Sequence, residues 1–246
     1  EGAEEGGGAA PAHGASLKAL PTVELISCSF VQPQPQELPQ ELPPELQSSR
    51  ILVISDFNCP YCFTLNEWLN QLGLAERVYW VGVEHKSHLP FEFSATNEPV
   101  DYNTLLKEVA DVQRRAPEVE VQLPPVWVNS HQALLLQAAV EADEPALAGP
   151  LRTAIFRSFW RDQRNIANAQ ELHHCQQQAG VEPDSERFLD PEALARLTTW
   201  WRQELDRVPC MLAPTGARHL GLQDRAAVEA FALGALHDPP AGPACR

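Results

Sequence analysis

The chain has few cysteines, a single methionine and no long apolar run. Six cysteines in 246 residues are too sparse for a scaffold held together by disulfides. No apolar run approaches the roughly 20 residues that a helix needs to cross a bilayer, so membrane insertion is not expected. The chain begins at Glu1 and its only methionine is Met211. A cleaved targeting segment can have preceded Glu1, so the compartment stays open.

Cationic residues are also scarce. The chain carries 18 Lys and Arg against 33 Asp and Glu, a formal net charge of −15. Nucleic acid and anionic lipid would both repel such a protein, so neither is an expected partner. The acidity is better explained by solubility.

The first 49 residues predict an extension without a packed core. Residues 1 to about 20 are rich in Gly, Ala and Glu, a composition typical of disorder. Residues 23–30 alternate weakly and allow one isolated strand. Residues 32–43 are dominated by Pro, Gln and Glu, which favours an extended, polyproline-like linker over helix or sheet. A ligand for a proline-binding module is the less favoured interpretation of that segment.

The folded domain is predicted to span residues 50–237, with residues 238–246 as a flexible tail. Residues 51–54 form a short, continuous apolar run, which is typical of a strand buried on both faces. A helix is predicted over residues 60–72 and a second buried strand over residues 78–83. Strand, helix and strand in this order predict a βαβ unit with parallel strands.

A block of helices is predicted next, over about 101–207. Pro145 can open one of these helices. Another is marked by apolar residues at helical spacing, namely Leu194, Leu197, Trp201 and Leu205. Strand signals then return at residues 211–213 and 218–222, and Asp224 caps a last helix. The order βαβ, helical insertion, ββα predicts an α/β fold.

Two cysteines lie where the first strand meets the first helix. Cys59 falls at the predicted N-cap, where free amide groups and the helix dipole favour a thiolate. Pro60 suits the first turn because no N–H is needed there. Cys62 is one turn further on and can close a disulfide with Cys59, so one thiol can attack a substrate disulfide and the other can resolve it. We therefore expect Cys59 to be exposed with a low pKa and Cys62 to be buried.

Two other interpretations of the pair stay open. The cysteines can be half of a zinc site, which would need two more ligands. The candidate ligands, His173, His174 and Cys175, lie mid-helix and point in different directions, so no metal is predicted. The pair can also be structural and chemically inert.

The whole pattern resembles a known family. A strand, Cys59-Pro60-Tyr61-Cys62, a helix, a strand, a helical insertion, and then Val208-Pro209 before a hairpin and a closing helix are similar to the DsbA-like branch of the thioredoxin superfamily. The similarity covers about residues 50–237 and is greatest with thiol–disulfide oxidoreductases of the FrnE type. It implies a thioredoxin-like fold with a helical insertion between the βαβ and ββα halves.

The resemblance also implies site residues and partners. Cys59 and Cys62 would be catalytic, and the substrate-binding candidates are Pro60, Tyr61, Val208 and Pro209. The bond between Val208 and Pro209 would be cis, and its exposed backbone would pair with substrate. The substrates would be protein thiols and disulfides, or glutathione as a co-substrate, with no other cofactor.

The chain departs from the family at two places. Cys210 and Met211 follow the proline where members often have Thr and a large apolar residue. The dipeptide Pro60-Tyr61 is typical of glutaredoxins, so the redox potential cannot be carried over.

Three polar residues near the motif are further candidates for a role at the site. His85 and His88 can border the active-site face, but exposed loop histidines are the favoured interpretation. Asp56 can help to move a proton or can cap a turn, and the two interpretations are equally weighted. A glutathione-linked transferase or isomerase of the kappa-like branch is an alternative function, although those relatives generally have Ser at the position of Cys59. The remaining alternative is a redox-inert interaction module.

Overall fold

The computed structural model describes residues 51–91, 101–183 and 207–237. The predicted N-terminal extension, the strand at 23–30, the proline-rich linker, the helix marked by Trp201 and the C-terminal tail lie outside the described residues.

The described residues form a mixed α/β domain. Its strands and helices, in chain order, are β1 (Ile51–Ser55), α1 (Pro60–Gln71), β2 (Val78–Gly82), α2 (Tyr102–Arg115), α3 (His131–Asp143), α4 (Pro145–Trp160), α5 (Ala169–Ala179), β3 (Cys210–Leu212), β4 (Arg218–Leu220) and α6 (Arg225–His237). Helices α2–α5 lie between the βαβ and ββα segments. The predicted fold class is confirmed.

The four strands form one sheet in the order β2-β1-β3-β4. Strand β1 runs parallel to β2, with Ile51 opposite Val78. It runs antiparallel to β3, with Ile54 opposite Cys210. Because β3 is antiparallel to β1, the start of β3 lies beside the carboxyl end of β1. The chain leaves that same edge of the sheet to enter α1.

Strand β1 is buried on both faces, which explains its unbroken apolar sequence. Ile51 and Val53 belong to the large core that the helices share. Leu52 and Ile54 belong to a second cluster on the opposite face of the sheet. Successive side chains of a strand point to opposite faces, so β1 supplies both clusters.

Element ends differ from the predictions by one or two residues. Strand β4 ends at Leu220 because Gly221 adopts a positive φ of 70° and its amide donates to the Pro209 carbonyl at 2.8 Å. Helix α6 begins after Asp224, whose side chain accepts from the Ala227 amide at 2.8 Å, as its predicted capping role requires. No helix in the described ranges is long and apolar enough to cross a membrane.

Gly82, the last residue of β2, marks a close approach of α3. A Cβ atom on Gly82 would lie 2.6 Å from Cδ2 of Leu134 and 2.8 Å from Cζ3 of Trp80. A larger residue at position 82 would require the side chains of Leu134 and Trp80 to move. The helical insertion is therefore packed directly on the strand that precedes it.

Candidate active site

Cys59 is the N-cap residue of α1, with φ −108° and ψ 119°. Its carbonyl accepts from the amides of Cys62 and Phe63, each at 3.1 Å, which closes the first helical turn. The Cys62 sulfur in turn accepts from the amide of Asp56 at 3.5 Å. The loop before Cys59 thus folds back onto Cys62, and both sulfurs belong to one compact turn.

Both thiols are buried, which corrects the expectation of an exposed Cys59. Cys59 is 3% exposed and Cys62 is 1% exposed, and neither forms a disulfide. Burial raises the pKa of Cys59 well above its ordinary value, and the adjacent Cys62 thiol and the Glu108 carboxylate add to the increase. The Cys62 amide favours the thiolate, but its effect is smaller. The expected low pKa was therefore wrong, because burial outweighs the helix N-terminus.

Two tryptophans of the helical insertion hold the loop that precedes Cys59. The indole N–H of Trp160 donates to the Phe57 carbonyl at 2.8 Å. That of Trp127 donates to the Asn58 carbonyl at 2.6 Å. Consecutive carbonyls of the loop are thus satisfied by side chains about 70 and 100 residues away in sequence. Neither tryptophan is among the site residues that the sequence predicted.

Asp56 is fully buried and its carboxylate accepts four hydrogen bonds. One oxygen accepts from the Ser130 hydroxyl and, at 3.4 Å, from the Asn58 amide. The other accepts from the His85 amide at 2.9 Å and lies 2.6 Å from Nδ1 of the His85 ring. The contact with Asn58 is local, as a turn cap would be. The contacts with His85 and Ser130 reach other parts of the fold and make Asp56 more than a cap.

The two histidines of the loop after β2 differ in exposure and in their partners. His85 is 27% exposed at its side chain and contacts buried Asp56, so its interpretation as a plain exposed loop residue was incomplete. His88 is 53% exposed and pairs with Asp101 on the surface, as expected.

Helix α2 places acidic groups beside the motif. The Tyr61 hydroxyl donates to Asp111 at 3.2 Å, and burial together with that carboxylate raises the pKa of Tyr61 to about 12. Burial raises the pKa of Glu108, although the positive charges of Lys86 and His85 oppose the increase. A carboxylate that is harder to ionise and a tyrosine that stays protonated therefore lie next to the dithiol.

The Val208–Pro209 segment lies at the same edge of the sheet as the dithiol. Its peptide bond is cis, and Pro209 directly precedes β3. Because Cys210 is opposite Ile54, the bond lies next to the carboxyl end of β1. Val208 is half-buried and packs against both hydrophobic clusters. Tertiary structure thus brings together the two segments that the sequence proposed for substrate contact.

The candidate zinc ligands are not gathered around the dithiol. Cys175 is a buried thiol in α5, and burial raises its pKa to about 12. Within the ranges that the structure describes, no group of three or more His, Cys, Asp or Glu side chains is placed to hold a metal ion.

Comparisons with known proteins agree with this architecture. The family model for the DSBA-like thioredoxin domain matches residues 50–199. The structure superposes on the cytosolic disulfide reductase DsbM from Pseudomonas aeruginosa with a TM-score of 0.60 at 16% identity, over 76% of this chain and 98% of that one. It superposes on a 2-hydroxychromene-2-carboxylate isomerase with a TM-score of 0.57 at 16% identity, over 76% and 95% of the two chains. A form of DsbM with GSH gives a TM-score of 0.51 at 16% identity, over 77% and 100%. No curated protein matched the sequence.

Proposed function

We propose that this chain, which belongs to the family of DSBA-like thioredoxin domains, is a thiol–disulfide oxidoreductase that works through Cys59 and Cys62. The observation that carries the proposal is the pair of thiols in the first turn of α1, with the Cys62 sulfur hydrogen-bonded to the loop before Cys59. A disulfide can form only between sulfur atoms that lie close together, as side chains of one helical turn do. We further propose residues 50–237 as the catalytic domain.

The reaction is a pair of exchanges between thiols and disulfides. Cys59 loses its proton and its sulfur attacks a substrate disulfide, which forms a mixed disulfide and releases one substrate thiol. Cys62 then loses its proton and attacks the Cys59 sulfur, which closes the Cys59–Cys62 disulfide and releases the second substrate thiol. Two electrons pass to the substrate, and the two protons of the enzyme thiols end on the two products. The reverse sequence oxidises a substrate dithiol.

The substrate would lie across the edge of the sheet where β1 ends. Pro60 and Tyr61 lie on one side of this edge and the Val208–Pro209 segment on the other. An extended substrate would pair with the backbone of half-buried Val208, because the Pro209 carbonyl is already bonded to the Gly221 amide, while its sulfur meets Cys59. Because both thiols are buried, the substrate or a local opening must uncover Cys59 before exchange.

Glutathione is the second candidate substrate. It is favoured by the similarity to a fold that is known in a form with GSH. The kappa-like isomerase reaction is less favoured, because this chain has Cys59 where those relatives generally have Ser.

The test is a trap for the mixed disulfide. Reduced Cys62→Ala is mixed with a disulfide-containing protein such as insulin, and separately with oxidised glutathione. Without Cys62 the mixed disulfide on Cys59 has no internal route of release, so a covalent adduct that reductant removes should accumulate.

Three variants serve as controls for the trap. Cys59→Ala and the double variant should form no adduct, and Cys62→Ala should be repeated with Cys210→Ala, since a thiol beside Pro209 can act as a substitute resolver. Protein adducts support the leading proposal, and adducts with glutathione only support the second. Folded Cys62→Ala that forms neither adduct would leave the redox-inert module as the better explanation.

A further inference from the structure

Asp56 connects the buried dithiol to a group that reaches solvent. Its amide donates to the Cys62 sulfur at 3.5 Å, and its carbonyl accepts from the Cys59 amide at 3.2 Å. Its carboxylate lies 2.6 Å from Nδ1 of His85. The amide and the carboxylate belong to one residue, so Asp56 alone links the Cys62 sulfur to the imidazole of His85.

The contacts of Asp56 fix the orientation of the imidazole. A carboxylate at 2.6 Å keeps the proton on Nδ1 and leaves Nε2 as the acceptor, as in other pairs of His and Asp. The amide of His85 is bonded to the same oxygen, which fixes the backbone as well as the ring. Among the described residues none is hydrogen-bonded to Nε2, and the side chain is 27% exposed. The ring can therefore accept a proton and exchange it with water.

Glu108 on α2 is the main competing proton acceptor, because burial raises the pKa of its carboxyl and makes the carboxylate a stronger base. Among the described residues it forms no hydrogen bond with either cysteine, whereas Asp56 is bonded to Cys62. Asp111 is less suited, because it is bonded to Tyr61 and to two arginines. Lys86 lies over the ring of Trp127, 4.3 Å from its centroid.

Glu84, which precedes His85 in sequence, forms one further pair of ionisable side chains. His131 and Glu84 contact one another at 3.4 Å, and the Glu84 side chain also accepts from Asn129 at 2.9 Å. Neither group forms a hydrogen bond with a cysteine among the described residues, whereas the amide of Asp56 is bonded to the Cys62 sulfur.

We propose that His85 is the proton acceptor of the dithiol site and that Asp56 is the positioning residue that holds it. The proposal rests on the proposed function and deepens it. When a thiol of the pair attacks a disulfide, its proton passes through water to Nε2 of His85 while the sulfur forms the new S–S bond. Asp56 remains a carboxylate and stabilises the imidazolium. The imidazolium then returns the proton to the departing substrate thiolate, directly or through solvent, so the protons balance.

Such a group is needed because the motif itself contains none. Pro60 and Tyr61 have no basic side chain, and the buried Cys59 thiol has a raised pKa. A general base near a weakly acidic nucleophile commonly accelerates its reaction by about a hundredfold or more.

The test compares His85→Gln with His88→Gln in the full chain. The readout is the single-turnover rate at which reduced protein cleaves a small aromatic disulfide, measured from pH 5 to pH 10. We expect His85→Gln to be slowed about a hundredfold near pH 7 and to approach the wild type at high pH, where hydroxide removes the proton. His88→Gln changes a more exposed histidine three residues further along the same loop, and it should follow the wild-type profile.

Added imidazole gives a second readout. It should restore a large part of the rate of His85→Ala near pH 7 and leave the wild type unchanged. Asp56→Asn is less informative, because four donors surround this buried carboxylate and the variant can fail to fold.

The outcomes separate this proposal from the proposed function. A wild type that cleaves no disulfide would refute the proposed function. The role of His85 would be refuted by an active wild type whose rate depends on pH in the same way as that of His85→Gln, if imidazole also fails to restore the rate of His85→Ala. If Glu108→Gln instead loses activity that small carboxylates restore, while His85→Gln loses none, the proton acceptor is Glu108 on α2.

Discussion

Replacement of Trp160 by Phe tests whether the helical insertion fixes the active-site loop. Trp160 is 0% exposed, and its indole N–H donates to the Phe57 carbonyl at 2.8 Å. A phenyl ring fills most of the same space but leaves that buried carbonyl without its donor. An unsatisfied buried acceptor costs about 1–3 kcal/mol, and the lost ring atoms add about 1 kcal/mol as a cavity. We expect Trp160→Phe to lower the free energy of unfolding by about 2–4 kcal/mol.

The matched control is Trp80→Phe. Trp80 is 5% exposed and its ring lies 4.9 Å from that of Phe57. Among the described residues, none accepts a hydrogen bond from its indole. The two variants remove similar volume from the core, so their difference isolates the hydrogen bond.

Urea denaturation at equilibrium measures both variants, and Trp160→Phe should be the less stable by about 1–3 kcal/mol. The alkylation rate of Cys59 in the native state should also rise in Trp160→Phe, because the loop that precedes Cys59 is loosened. Equal stability of the two variants would show that the carbonyl finds another donor and that the insertion does not hold the loop through Trp160.

Three shorter predictions concern charge, burial and packing. Glu108→Gln removes a negative charge that raises the pKa of Cys59, so alkylation of Cys59 at pH 8 should become faster, and a slower rate would contradict the electrostatic explanation. Cys175, whose pKa is raised by burial to about 12, should resist iodoacetamide in the native protein and react only on unfolding, as mass spectrometry of the labelled peptide can show. Gly82→Ala places a Cβ atom 2.6 Å from Leu134 and should lower the unfolding free energy by about 1–3 kcal/mol; an unchanged urea midpoint would contradict this packing.

Local features of the sequence predicted the elements that carry the motif. The apolar run at 51–54 and the helical spacing after Pro60 depend on neighbours within a few residues, and both elements are present at the predicted positions. The N-cap position of Cys59 follows from the same local pattern. Asp224 as a cap is a further case, since its partner is only three residues away.

Contacts between distant residues could not be predicted in this way. Asp56 meets His85 across 29 residues, and Trp160 meets Phe57 across 103. A lone histidine after a strand has no periodicity that distinguishes a surface loop from a bonded partner. Local sequence therefore favours an exposed His85 and does not decide whether Asp56 caps a turn or moves a proton.

The order of the elements and the placement of both cysteines in one turn follow from local sequence, because helix caps and apolar periodicity act over a few residues. The environment of the thiols depends instead on contacts between distant parts of the chain. Trp127 and Trp160 of the insertion are bonded to the loop before Cys59, and Glu108 of α2 helps to raise the pKa of the buried thiol. The pKa of a thiol depends on solvent and charge within a few ångströms, whichever part of the chain supplies them. For that reason the reactivity of Cys59 depends on the whole fold, although its position in the chain is fixed locally.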